Sequence, residues 1–179
     1  VTVSKTSVAA DNTDTATVTV TLRDSQNNAI SGKAVTLSQG SGSSTITATQ
    51  GTSDSSGIAT FTVKSTKAES ITYTAIAGSV TLTLHPVPVT FTPGAASSAI
   101  SQISASKASV AANGSDSATI TVIVKDMYGN VITGHDVKLQ QGSGSSLITP
   151  AQATTNVDGA ASFVVTNTKT ENVSYSANV

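Results

Sequence analysis

The chain has 179 residues, of which 37% are apolar, 3% aromatic and 11% charged, with a formal net charge of −1. Its 9 Lys and Arg and 10 Asp and Glu are spread without clusters, so there is no electrostatic footprint for a phosphate backbone or an anionic lipid surface, which argues against nucleic acid as a partner. The absence of cysteine excludes disulfide frameworks, thiol catalysis and thiolate zinc sites, and no apolar run of about 18 residues is present to insert directly in a membrane.

In chain order, an opening segment over residues 1–8 is followed by the clearest strand, over residues 15–22. There Ala16, Val18, Val20 and Leu22 alternate with Thr, the pattern of a strand with one buried face. The segment 24–29 reads DSQNNA, a hairpin in which Asn27 takes a left-handed turn position. Further strands are expected at Val35 and Leu37, at Ile46, at Ala59, Phe61 and Val63, at Ile71, Tyr73 and Ala75, and at Val80, Leu82 and Leu84. About seven strands separated by turn signals predict an immunoglobulin-like sandwich. The apolar phase then shifts by one residue, running through Val87, Val89 and Phe91. His85 and Pro86 mark a bulge, and Pro86 with Pro88 predicts an edge strand, because proline cannot donate to a ladder.

The whole pattern then returns. Sliding the sequence by 102 residues aligns residues 1–77 with 103–179 without a gap, and 36 of those 77 positions are identical. Ala118, Ile120, Val122 and Val124 repeat the phase of the first copy, and Gly129 stands where the first copy has Asn27. Residues 78–94 have no counterpart after Val179, so the second copy is expected to lack its last strand within this chain. The domains expected are 1–94, a short linker at 95–102, and 103–179; Val1 starts in mid-pattern, as an excerpt of a longer protein does. The class is therefore all-β, two tandem immunoglobulin-like sandwiches strung lengthwise, each adding on the order of 35 to 40 Å.

The hexamer QGSGSS occurs at 39–44 and again at 141–146. It lacks the strand-to-helix context of a phosphate-binding loop and is expected to be a flexible connection between strands. No catalytic triad is expected, because the two histidines, His85 and His135, occupy unrelated repeat positions, and a lone histidine makes no metal site. Asp11, Asp14, Asp24, Asp116 and Asp126 are calcium-ligand types, but the junction at 92–102 contains no acid, so they are read as turn caps, with no metal or other cofactor implied. Tyr73 and Tyr175 align in phase with buried neighbours, as core residues with a tied-back hydroxyl. Met127 and Tyr128 replace Ser25 and Gln26 at a hairpin tip and expose apolar surface, which makes them the candidate partner contact.

Two stretches carry a resemblance: SVAANGSDSATITVIVKDMYGNVITG at 109–134 and TTNVDGAASFVVT at 154–166. Their turn, hairpin and Phe-containing strand resemble the immunoglobulin-like repeats of the intimin and invasin adhesins. The ending VTFTPGAAS at 89–97 is similar to a domain-closing strand and linker of that family. Copy one departs at Asn12, Asn27 and Ser56, where Gly, Gly and Asp are usual. The resemblance covers nearly the whole chain. It implies repeats of an exported passenger anchored in the outer membrane at the bacterial surface, with neighbouring repeats as partners and a spacer role. A second reading gives the repeats their own grip on a host protein or glycan through the loops near Met127 and Tyr128. A third makes them decoration on a phage protein or secreted enzyme.

Overall fold

The computed structural model describes residues 1–82 and 88–179, and contains strands and no helix among them. It divides into two compact units, Val1–Gly94 and Ala95–Val179, each with its own apolar core. In the first unit the strands are β1 (Thr2–Val3), β2 (Ser7–Ala9), β3 (Ala16–Thr21), β4 (Val35–Gln39), β5 (Thr45–Gln50), β6 (Ile58–Lys64), β7 (Ser70–Ala77), β8 (Val80–Leu82) and β9 (Pro88–Thr92). One sheet has the order β1-β3-β6-β5; the other runs β2-β9-β7-β4, with β8 paired to β7.

The alternation in β3 produces its expected result. Ala16, Val18 and Val20 are fully buried, while the intervening Thr17 and Thr19 lie in register with Thr62 and Thr60 of β6. Such a face is stable because β-branched residues suit a pleated surface while the opposite face removes aliphatic area from water. Phe61 and Val63 of β6, Tyr73 and Ala75 of β7, and Val89 and Phe91 of β9 complete the core. Both units are therefore sandwiches closed by inward aliphatics.

The second unit contains β10 (Gln102–Ala105), β11 (Ser117–Ile123), β12 (Asp136–Gln141), β13 (Leu147–Thr149), β14 (Gln152–Thr154), β15 (Ala160–Thr166) and β16 (Tyr175–Asn178). Its sheets are β10-β11-β15-β13 and β14-β12-β16. Where β5 runs on through a bulge near Ala48, the second unit splits into β13 and β14, because Pro150 occupies the matching position and has no N–H for the ladder. Counterparts of β8 and β9 are not found among the described residues of this unit, because Val179 aligns with Ala77, the residue that ends β7.

The expected edge strand at the prolines is overturned for Pro88. β9 is interior, parallel to β2 (Ser7↔Thr90, Val8↔Phe91) and antiparallel to β7 (Ile71↔Val89). Pro88 is tolerated because it opens the strand. The even-numbered Thr90 amide is the one that donates toward the β2 side, to Thr6 O at 2.8 Å, and Pro88 precedes the start of that pairing. His85, Pro86, Leu84, Val87 and the bulge expected there lie outside the described residues. The turn expectations are met: Asn27 has φ 67° and Gly129 φ 85°.

Candidate functional site

Met127 and Tyr128 stand at the tip of a hairpin closed by the Lys125↔Val131 bridge. The Asp126 carboxylate builds the tip. Its Oδ1 accepts from the amides of Tyr128 and Asn130, both at 2.9 Å, and its Oδ2 accepts from Asn130 Nδ2 at 2.7 Å. With its base fixed, the turn projects Met127, 66% exposed, and Tyr128, 42% exposed, into solvent. Asp24 forms the same cradle in the first unit, accepting from the amides of Gln26 (2.9 Å) and Asn28 (2.8 Å), and the Asn28 side chain holds its carboxyl below the usual range. Asp24 is exposed, whereas Asp126 is buried. The difference comes from residues 95–102, expected as linker. Ala96 bridges to Asp126, Ser97 N donates to Lys125 O at 2.8 Å, and Lys125 N donates to Ser101 Oγ at 3.0 Å.

The repeated hexamer is not a free loop. Ser44 Oγ donates to Gln39 Oε1 and lies 2.6 Å from the Tyr73 hydroxyl, while Gln39 Nε2 donates to Ser44 O at 2.6 Å. Ser43 then anchors the loop to the edge of β7 by donating its amide (2.8 Å) and its hydroxyl (2.5 Å) to Glu69 Oε1. The second unit repeats the set: Ser146 Oγ donates to Gln141, Tyr175 donates to Ser146 Oγ at 2.8 Å, and Ser145 N donates to Glu171 at 2.7 Å. Gly42 explains the glycine, because a Cβ there would sit 2.7 Å from the Ile71 side chain. The hexamer thus ties a loop to a strand. Glu69 and Glu171 were not singled out in the sequence, although they are identical between the copies; that identity, alongside the Gln39 and Gln141 of the repeated hexamer, was the available signal.

The Ser43 hydroxyl holds the Glu69 carboxyl below its ordinary 4.5, helped by Lys67 at 3.0 Å; burial opposes. A depressed carboxylate pKa stabilises the fold above the unfolded value and loses that contribution as pH falls through the folded one. Glu69→Gln is therefore expected to flatten the acid limb of first-unit stability below pH 4.5, measured by unfolding at several pH values. An unchanged limb would count against the anchor.

The remaining aspartates act locally. Asp14 and Asp116 pair with Lys5 (2.6 Å) and Lys107 (2.8 Å) and accept the amides of Ala9 and Ala111. Asp11 caps the amides of Thr13 and Asp14. Among the described residues, no group of three or more His, Cys, Asp or Glu gathers to hold a metal ion. His135 donates its backbone amide to Thr155 Oγ1 at 2.9 Å. No helix of the described residues is long and apolar enough to cross a membrane.

The family described as bacterial Ig-like domain (group 1) matches residues 1–92 and 100–179. Intimin of Escherichia coli O111:H- is 32% identical over 171 residues, 93% of this chain and 18% of its own length. The inverse autotransporter adhesin YeeJ of Escherichia coli strain K12 is 33% identical over 127 residues, 70% of this chain and 5% of its own length. The chain thus spans a small part of either relative. Among solved structures, invasin, described as a bacterial integrin-binding protein, matches with a TM-score of 0.78 over 99% of this chain and 36% of its own, at 22% identity. That likeness shows the fold.

Proposed function

Because the chain belongs to the bacterial Ig-like domain (group 1) family and its relatives are surface adhesins rather than enzymes, we propose that its two domains are stalk repeats of a bacterial surface adhesin. They space a distal adhesive region from an outer-membrane anchor. The observation that carries this reading is the parallel pairing of β2 with β9. β2, preceded only by the two-residue β1, runs parallel to the closing strand β9, so the chain enters and leaves their shared ladder at opposite ends. Tension between the two ends then loads their hydrogen bonds together, in shear, rather than one at a time by peeling. Ala10 N to Thr92 O and Thr90 N to Thr6 O, both 2.8 Å, belong to that ladder. A spacer in an adhesin needs this resistance, and little else.

The second reading, direct contact with a host protein or glycan, is favoured by the exposed Met127 and Tyr128. An apolar pair on a fixed turn suits a partner surface. Two measurements separate the readings. Pulled singly, the first unit should resist as one discrete event; unfolding at near-zero force would overturn the stalk reading. In cells carrying the parent adhesin, Met127→Ser with Tyr128→Gln should leave adhesion unchanged. Lost adhesion with intact folding would transfer the function to the tip.

A further inference from the structure

Of the nine asparagines in the chain, Asn113 alone is followed by glycine. That pair is the least hindered for attack by a backbone nitrogen on the preceding side-chain amide, because glycine has no Cβ to shield its N–H. Asn113, Gly114 and Ser115 stand in an exposed turn ahead of β11, with Gly114 at φ +77°. The Asn113 Oδ1 accepts three hydrogen bonds there: from Ser115 N at 2.9 Å, from Ser115 Oγ at 3.0 Å and from Asp116 N at 2.8 Å. Three donors on one amide oxygen polarise Cγ and stabilise the negative charge that addition to it creates, as an oxyanion hole does for an acyl carbon. The first unit has the same turn with Asp11 in place of Asn113, accepting from Thr13 N at 2.8 Å and Asp14 N at 2.7 Å. Asn12 N donates to Ser65 O at 3.1 Å, as Gly114 N does to Asn167 O at 2.9 Å, so both units build and anchor this turn alike.

We propose that Asn113 is a self-modification site, at which the folded second unit converts its own Asn113–Gly114 pair to a cyclic imide and then, by hydrolysis, to an aspartyl residue. Gly114 N gives its proton to hydroxide, and its electron pair forms a bond to Asn113 Cγ. Oδ1 carries the negative charge while the three donors hold it. The Cγ–Nδ2 bond then breaks, and Nδ2 takes a proton from water and leaves as ammonia into the solvent that the turn faces. Water adds to one imide carbonyl and reopens the ring. Cleavage of the new N–Cγ bond restores the main chain with a carboxylate at position 113; cleavage of the original peptide bond leaves an isoaspartyl link, one atom longer. The first product fits the fold, because Asp11 already makes the same cap in the first unit. It adds a negative charge beside Asp116, whose carboxylate pairs with Lys107 at 2.8 Å. One local event gates the reaction: the Gly114 amide must leave Asn167 O, which opens a single hydrogen bond at an exposed turn and leaves the core of the unit closed. The inference does not depend on the stalk reading.

The test incubates the 179-residue chain in mildly alkaline buffer and follows its tryptic peptides by mass spectrometry. The peptide 108–125 contains Asn113 and no other asparagine. It is expected to gain the mass of amide-to-carboxyl conversion before any other asparagine-containing peptide does. Ser115→Ala removes one donor from Oδ1 and should slow that gain about tenfold in the folded chain, less than in a water-excluded site because this turn is exposed. In the urea-unfolded chain, which has no such cradle, the same substitution should leave the rate unchanged. A chain carrying Asn113→Asp should melt with the unmodified second unit. No gain at 108–125, an earlier gain elsewhere, or an equal effect of Ser115→Ala on folded and unfolded chains would each overturn the proposal. So would an Asn113→Asp chain whose second unit melts early.

Discussion

Replacing Phe91 by Ala is expected to remove about 3 to 5 kcal/mol from the first unit, the usual cost of deleting a buried aromatic ring and leaving a cavity. Phe91 is 1% exposed and sits in β9 between β2 and β7, opposite Val8. A loss of that size is a large share of a single domain's stability, so first-unit folding near physiological temperature should be visibly compromised. The second unit has a separate core and should keep its own unfolding transition. Calorimetry or residue-resolved denaturation distinguishes the two. The same substitution should lower the force at which the first unit yields, because β9 is one side of the parallel ladder. A loss below about 1 kcal/mol would mean that β9 is an ornament on the sheet rather than part of its core.

The second large effect is expected at Gly57. Its φ is +77°, and a Cβ there would lie 2.3 Å from the Leu22 carbonyl oxygen and 3.2 Å from Ile30 N. Both are backbone atoms held in place: Leu22 N donates to Gly57 O at 2.7 Å, and Ile30 N donates to Leu22 O at 3.1 Å. Neither can retreat without breaking a turn. Gly57→Ala should therefore cost more than the roughly 1 to 2 kcal/mol of a left-handed alanine alone. Gly32→Ala is the control, with φ +71° but nothing within 4 Å of the added carbon, so it bears only that backbone term. Gly159→Ala should fall between them, because its nearest atom, Val124 O, is 2.9 Å away. Equal losses at Gly57 and Gly32 would show that the turn, not the contact, sets the requirement.

Period-two alternation was enough to place β3 and β11 and to say which of their residues point inward, because that pattern depends only on the pleat and on one dry face. The duplication made the reading secure. Asn27 and Gly129, or Gly57 and Gly159, occupy matching turns, and left-handed backbone is a local property that a sequence displays directly. The family resemblance was legible for the same reason, since it rested on those turns.

What the sequence could not display is pairing across distance. Whether a serine-glycine loop hangs free or is tied down depends on Glu69 and Tyr73, 26 and 29 residues further on, which only sheet packing brings to Ser43 and Ser44. Pro88 pointed to an edge when taken alone, yet the edge of a sheet is defined by which strands flank it, and β2 comes from the far end of the domain. Val8 and Val110 are the same residue in the same local pattern, and one is buried while the other is half-exposed. Side-chain direction is local and was determined by the sequence; burial requires a neighbour, and neighbours are assigned only when the chain closes on itself.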